Sequence, residues 1–88
     1  MTITQTETLH IDFPDISNAI NLSYTIVGND RTKTAIFKIL EHSTEVSNAV
    51  IKWSNDVITD IKINFINNIS AAYAKAIRNT ILTICDEL

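Results

Sequence analysis

Ile20-Asn21-Leu22-Ser23-Tyr24-Thr25-Ile26-Val27 sets an apolar residue at every second position, with Asn21, Ser23 and Thr25 between them. A period of two places Ile20, Leu22, Tyr24 and Ile26 on one face of an extended strand. Helical spacing would gather Ile16, Ile20, Tyr24 and Val27 but leave Leu22 and Ile26 off the face, so the extended reading accounts for more residues. Gly28-Asn29-Asp30-Arg31 follows as a cluster of turn formers. Alternation then resumes over residues 32–40 through Ala35, Phe37 and Ile39, and the strands 20–27 and 32–40 are expected to form a hairpin.

On the N-terminal side, Leu9, Ile11 and Phe13 alternate with His10 and Asp12, which predicts a strand over 8–13 ended by Pro14. Residues 1–7 are polar and Thr-rich, and read as a flexible tail before a single small domain spanning 8–88. On the C-terminal side, Ser43-Thr44-Glu45 resembles a helix start, with a hydroxyl cap and an acid where the helix dipole favours negative charge. Val46, Ala49, Val50, Trp53 and Val57 then step by three and four, predicting an amphipathic helix over 44–55. Ile61, Ile63 and Phe65 alternate with Asp60, Lys62 and Asn64, predicting a strand over 58–66, although Val57, Ile58, Ile61 and Phe65 also fit a helix. Asn67-Asn68 supplies a cap for a last helix over 68–87. Its stripe is Ile69, Ala72, Tyr73, Ala76, Ile77, Ile81, Ile84 and Leu88.

These segments predict an α+β domain in which a small antiparallel sheet carries both helices on one face. The alternative is an all-α helical bundle, which the absence of Gly and Pro after Gly28 would permit. The wealth of β-branched residues, with Ile alone at 16 positions, favours the sheet.

Several function classes are disfavoured by composition. A chain whose one glycine is Gly28 has no glycine-rich phosphate loop, and it carries no Gly-x-Ser-x-Gly elbow. Its metal-ligand candidates His10, Asp12, Asp15, His42 and Cys85 lack the close spacing of a zinc site. No metal or cofactor is therefore expected. The single Cys85 cannot form an internal disulfide, and it lies near the end of a helix, where the dipole raises a thiol pKa. No apolar run is long enough to cross a membrane and no leader pattern precedes the domain, which suggests a cytoplasmic protein. Its net charge of −3 argues against a nucleic-acid surface.

The leading expectation is a non-enzymatic protein-protein interaction module that binds stoichiometrically, as an inhibitor, an immunity or antitoxin-like factor, or an assembly subunit. A small, apolar-rich domain is expected to leave hydrophobic surface for a partner or a second copy, with homodimerisation the expected architecture. Candidate partner-binding residues are Ile51, Ala71, Ala74 and Leu82, which fall outside the main stripes of the two expected helices. The alternative is a nucleic-acid-binding regulator using a basic hairpin of Arg31, Lys33 and Lys38. A third reading, an enzyme with a site shared across a dimer, would draw its acid/base from His10 or His42.

Overall fold

The alternation seen at 20–27 extends through most of the chain. The computed structural model describes residues 3–88 and contains five strands and one helix. Strands β1 (Ile3–Phe13), β2 (Asn18–Gly28), β3 (Lys33–Glu41), β4 (Thr44–Ser54) and β5 (Val57–Phe65) pair antiparallel in sequence order, as an up-and-down meander. A 3-10 turn at Pro14–Ile16 joins β1 to β2, and helix α1 (Ala71–Asp86) closes the chain. The fold is α+β with an antiparallel sheet, and the all-α alternative is excluded.

Two-residue turns with both residues in the left-handed region connect the last three strands. His42 and Ser43 (φ 49° and 69°) join β3 to β4, and Asn55 and Asp56 (φ 53° and 68°) join β4 to β5. Such turns match the right-handed twist of paired strands, and Asn and Asp tolerate the left-handed conformation better than most residues. At the β2–β3 turn, Gly28 has φ 138° and its backbone lies so close to Thr32 and Lys33 that an added Cβ would fall 2.5 Å from the Thr32 carbonyl oxygen. Only glycine fits there.

The helix expected over 44–55 is strand β4, and this is the main correction to the sequence reading. Ser47, Ala49, Ile51 and Trp53 alternate into the core. A register shift between Ile39 and Leu40 on β3 brings Val46 to the buried side as well. Val46, Ala49 and Trp53 therefore share a face at three- and four-residue spacing, which imitates a helix in a strand with irregular pairing. The segment expected as a tail also contributes, since residues 3–7 form the first half of β1 and pair with 24–28. Met1 and Thr2 lie outside the described residues.

Directly paired residues share a face of the sheet. One face carries Ile11 of β1, Ile20, Leu22 and Tyr24 of β2, Ala35, Phe37 and Ile39 of β3, and Ala49, Ile51 and Trp53 of β4. Onto it α1 lays Tyr73, Ile77, Ile81 and Cys85, one residue per turn, to make a single core. The helix starts where the Ser70 hydroxyl accepts the Tyr73 amide (3.1 Å), two residues beyond the expected Asn67-Asn68 cap. The Tyr73 hydroxyl donates to Glu41 on β3, to which Asn18 also donates (3.3 Å), and the Tyr73 ring meets Phe13 edge-on at 6.4 Å. At the far end, Lys33 donates to the Leu88 carbonyl and lies over the Trp53 ring at 5.2 Å. The helix is thus fastened to the sheet at both ends.

Candidate functional site

The width of the sheet against the single helix creates the surface of interest. Five strands spaced about 4.8 Å apart span roughly 19 Å between the outer axes, whereas a helix with its side chains is only about 10–12 Å across. Helix α1 therefore covers the middle strands and leaves the margins open. Ala72 and Ala76 line a groove with Phe13, Pro14 and Ile16, so this flank of α1 faces β1. With 100° between successive residues, Ala74, Arg78 and Leu82 lie on the other flank, toward β5.

Strand β5 is bare. Eight of its nine residues are exposed and Ile63 is half-buried. Among the described residues, four of the seven large apolar side chains that remain exposed belong to it: Val57, Ile58, Ile61 and Phe65. Ile61 pairs with Ile51, Ile63 with Ala49, Phe65 with Ser47 and Ile58 with Trp53, so these side chains project on the helix-bearing face beside the core. Asp60, Lys62 and Asn64 project on the opposite face.

The backbone of β5 is also unpartnered on its outer side. The Ile66 amide donates to the Val46 carbonyl (2.9 Å), and the Asn64 carbonyl accepts the Ser47 hydroxyl (2.7 Å). These even-numbered residues point toward β4, and by antiparallel alternation Ile61, Ile63 and Phe65 turn their N–H and C=O groups outward. An edge with free donors and acceptors beside an apolar row is a template for another strand. The other edge is less receptive. β1 places Glu7 on the helix-bearing face, where it accepts the Tyr24 hydroxyl (3.4 Å), and an inward-facing charge protects a sheet edge.

The residues singled out from the sequence fall in different places. Ile51 is fully buried beneath α1 and unavailable to a partner, because the segment holding it is a core strand. Ala71 is exposed at the start of α1, while Ala74 and Leu82 are half-buried on the flank toward β5. The basic hairpin does not gather into a patch. The Arg31 side chain donates to Asp56 (3.0 Å), Lys33 turns to the helix-bearing face to meet Leu88 and Trp53, and Lys38 projects from the opposite face.

Both nitrogens of His10 are engaged, Nδ1 with Asn21 Oδ1 (2.9 Å) and Nε2 with Asp12 Oδ1 (3.2 Å). The hydrogen bond to Asn21 and then the charge of Asp12 raise its pKa. With each ring nitrogen already held by a partner oxygen, neither is free to meet a substrate proton, so this arrangement opposes a general base. His42 serves a tight turn. Burial, and secondarily Asp86, push the Cys85 thiol up to about 11. Among the described residues, no three or more His, Cys, Asp or Glu side chains gather as a metal site would require, and no helix is long and apolar enough to cross a membrane.

The β5 residues Ile58, Ile61 and Phe65 were not among the sequence candidates. Two signals bear on them: the alternation of Ile61, Ile63 and Phe65 with Asp60, Lys62 and Asn64, and the Asn55-Asp56 dipeptide before the strand, a hairpin former that pairs β5 with β4. No protein-family model, curated protein or solved structure matches the chain.

Proposed function

We propose that this protein is a non-enzymatic interaction module that binds a polypeptide partner stoichiometrically by accepting a strand at the β5 edge. The observation that carries this reading is the coincidence, on one nine-residue strand, of outward backbone groups with the exposed row Ile58, Ile61 and Phe65. In strand addition, main-chain hydrogen bonds supply affinity while alternate side chains supply specificity. The flank of α1 bearing Ala74 and Leu82 borders this row and extends the apolar surface. An inhibitor, an immunity or antitoxin-like factor and an assembly subunit all work by such occupancy. The dispersal of Arg31, Lys33 and Lys38 and the double engagement of His10 weigh against the nucleic-acid and enzymatic alternatives.

Residue-resolved amide exchange tests this reading, with a synthetic peptide of the β5 sequence, residues 57–65, as the probe strand. The amides of Ile61 and Ile63 are expected to gain protection as peptide or protein concentration rises, while outward amides of β1 keep exchanging freely. Unprotected exchange of both β5 amides at every concentration would refute strand addition at this edge.

A further inference from the structure

Resting on strand addition at β5, we infer that the strand accepted there is β5 of a second copy of this chain, related by a two-fold axis through Ile61. The symmetry of β5 carries the argument. Its nine residues, Val57–Phe65, are centred on Ile61. An antiparallel pairing about that residue matches each position n with position 122 − n of the second copy around the axis, while the register shift that sets Ile58 opposite Trp53 takes Ile58 and Val57 one residue out of step. Asp60 then stands opposite Lys62 of the second copy, and by symmetry Lys62 opposite Asp60 of the second copy.

The neighbouring registers are penalised. Centring on Asp60 opposes two carboxylates, and centring on Lys62 opposes two ammonium groups, both destabilising in a direct cross-strand pair. Hydrogen-bond parity agrees with the Ile61 register. The outward residues are odd-numbered from Ile61 to Phe65, and the axis sets Ile61 opposite Ile61 of the second copy, so the free N–H and C=O groups at the centre of the strand meet counterparts. Asp60 and Lys62 occupy non-hydrogen-bonded pairs, the closer kind, with Cα atoms about 4.5 Å apart.

Apolar burial points the same way. On the helix-bearing face Ile61 meets Ile61 of the second copy, and Phe65 reaches the end of the second strand that carries Ile58, while Val57, opposite Ser54, stands on the other face. The pairing thus gathers Ile58, Ile61 and Phe65, three of the four large apolar side chains that β5 leaves exposed, on the helix-bearing face. Joining β5 to β1 of another copy would instead repeat head to tail as an open array, and would set the apolar row of β5 beside Glu7. The two-fold pairing closes on itself as a ten-stranded sheet.

Charge reversal combined with light scattering across a concentration series tests the register. Lys62→Asp is the cleaner single change, because its β4 neighbour is the uncharged Val50, whereas Asp60 also faces Lys52. In the dimer Lys62→Asp replaces two opposite-charge pairs by two like-charge pairs, and the dissociation constant is expected to rise about tenfold or more. Asp60→Lys is expected to do the same. An equimolar mixture of the two variants restores both attractive pairs and is expected to dimerise as tightly as the parent, which loss of folding in either variant could not produce. Circular dichroism on each variant checks that the fold is intact.

A parent protein that is monomeric at the highest concentration overturns the inference. So does a dimer indifferent to both reversals, or one that the mixture fails to restore. If the probe peptide nevertheless protects Ile61 and Ile63, strand addition stands and only the identity of the partner has failed.

Discussion

Replacing isoleucine by alanine at two depths measures the one-sided architecture. Ile77 sits in α1 with 0% exposure, pressed against the sheet, whereas Ile36 on β3 is 50% exposed on the opposite, uncovered face. At position 77 the substitution removes buried carbon and leaves a cavity between helix and sheet, costing about 2–5 kcal/mol. At position 36 it removes three carbons that are half in water already. At about 0.8 kcal/mol for each fully buried methylene, the loss is about 1 kcal/mol with no cavity contribution. An 88-residue domain has a total stability of about 4–13 kcal/mol, so Ile77→Ala consumes a large share of it. With a urea slope of about 1–2 kcal/mol/M for a chain of this size, Ile77→Ala should lower the unfolding midpoint by about 1–5 M, and Ile36→Ala by only about 0.5–1 M. Trp53 is the one tryptophan and is buried in the core, so its fluorescence reports the transition directly. Protein concentration is held constant across the series, because self-association would shift the midpoints by mass action. Equal midpoint shifts for the two variants would refute the arrangement, since they would mean that both faces of the sheet are covered.

Ser43→Gly should stabilise the fold by about 0.5–1 kcal/mol, read as a higher urea midpoint, because Ser43 holds φ 69° on an exposed turn where glycine avoids the left-handed penalty of about 1–2 kcal/mol at some entropic cost. The Cys85 thiol, pushed up to about 11 against an ordinary 9.0, should react with a thiol reagent at pH 8 about a hundredfold more slowly in the folded protein than in urea. Equal labelling rates in the two states would show that α1 does not bury this residue.

Period was legible in the chain where pairing is regular and misleading where it is not. In β2 and β3 each apolar side chain meets its partner in step, so the alternation Ile20, Leu22, Tyr24 and Ala35, Phe37, Ile39 identified both strands and their buried faces. The stripe of α1 was equally plain, because a helix packed on one side repeats its contact every turn. In β4 the register shift opposite Val46 broke the alternation and produced a helix-like spacing, although the turn-forming Asn55-Asp56 at its end already favoured a hairpin. The strand character of residues 3–7 had no local apolar signal at all. Thr4, Thr6 and Thr8 are exposed, and β1 owes its early residues to hydrogen bonds with β2 rather than to burial.

What the amino-acid sequence determined by itself is the set of locally encoded features: the two-residue period of most strands, the four-residue stripe of the final helix, and the small polar turns that make neighbours antiparallel. Each depends on residues a few positions apart, whose backbone sterics and side-chain directions are settled within the segment. Which strand would be left bare was decided only by the tertiary structure. The width of five strands exceeds what one helix can cover, and once the wrongly expected second helix became β4, the apolar row of β5 had nothing in its own chain to lie against. Exposure of that kind belongs to the count and placement of layers, and no spacing within residues 57–65 records it.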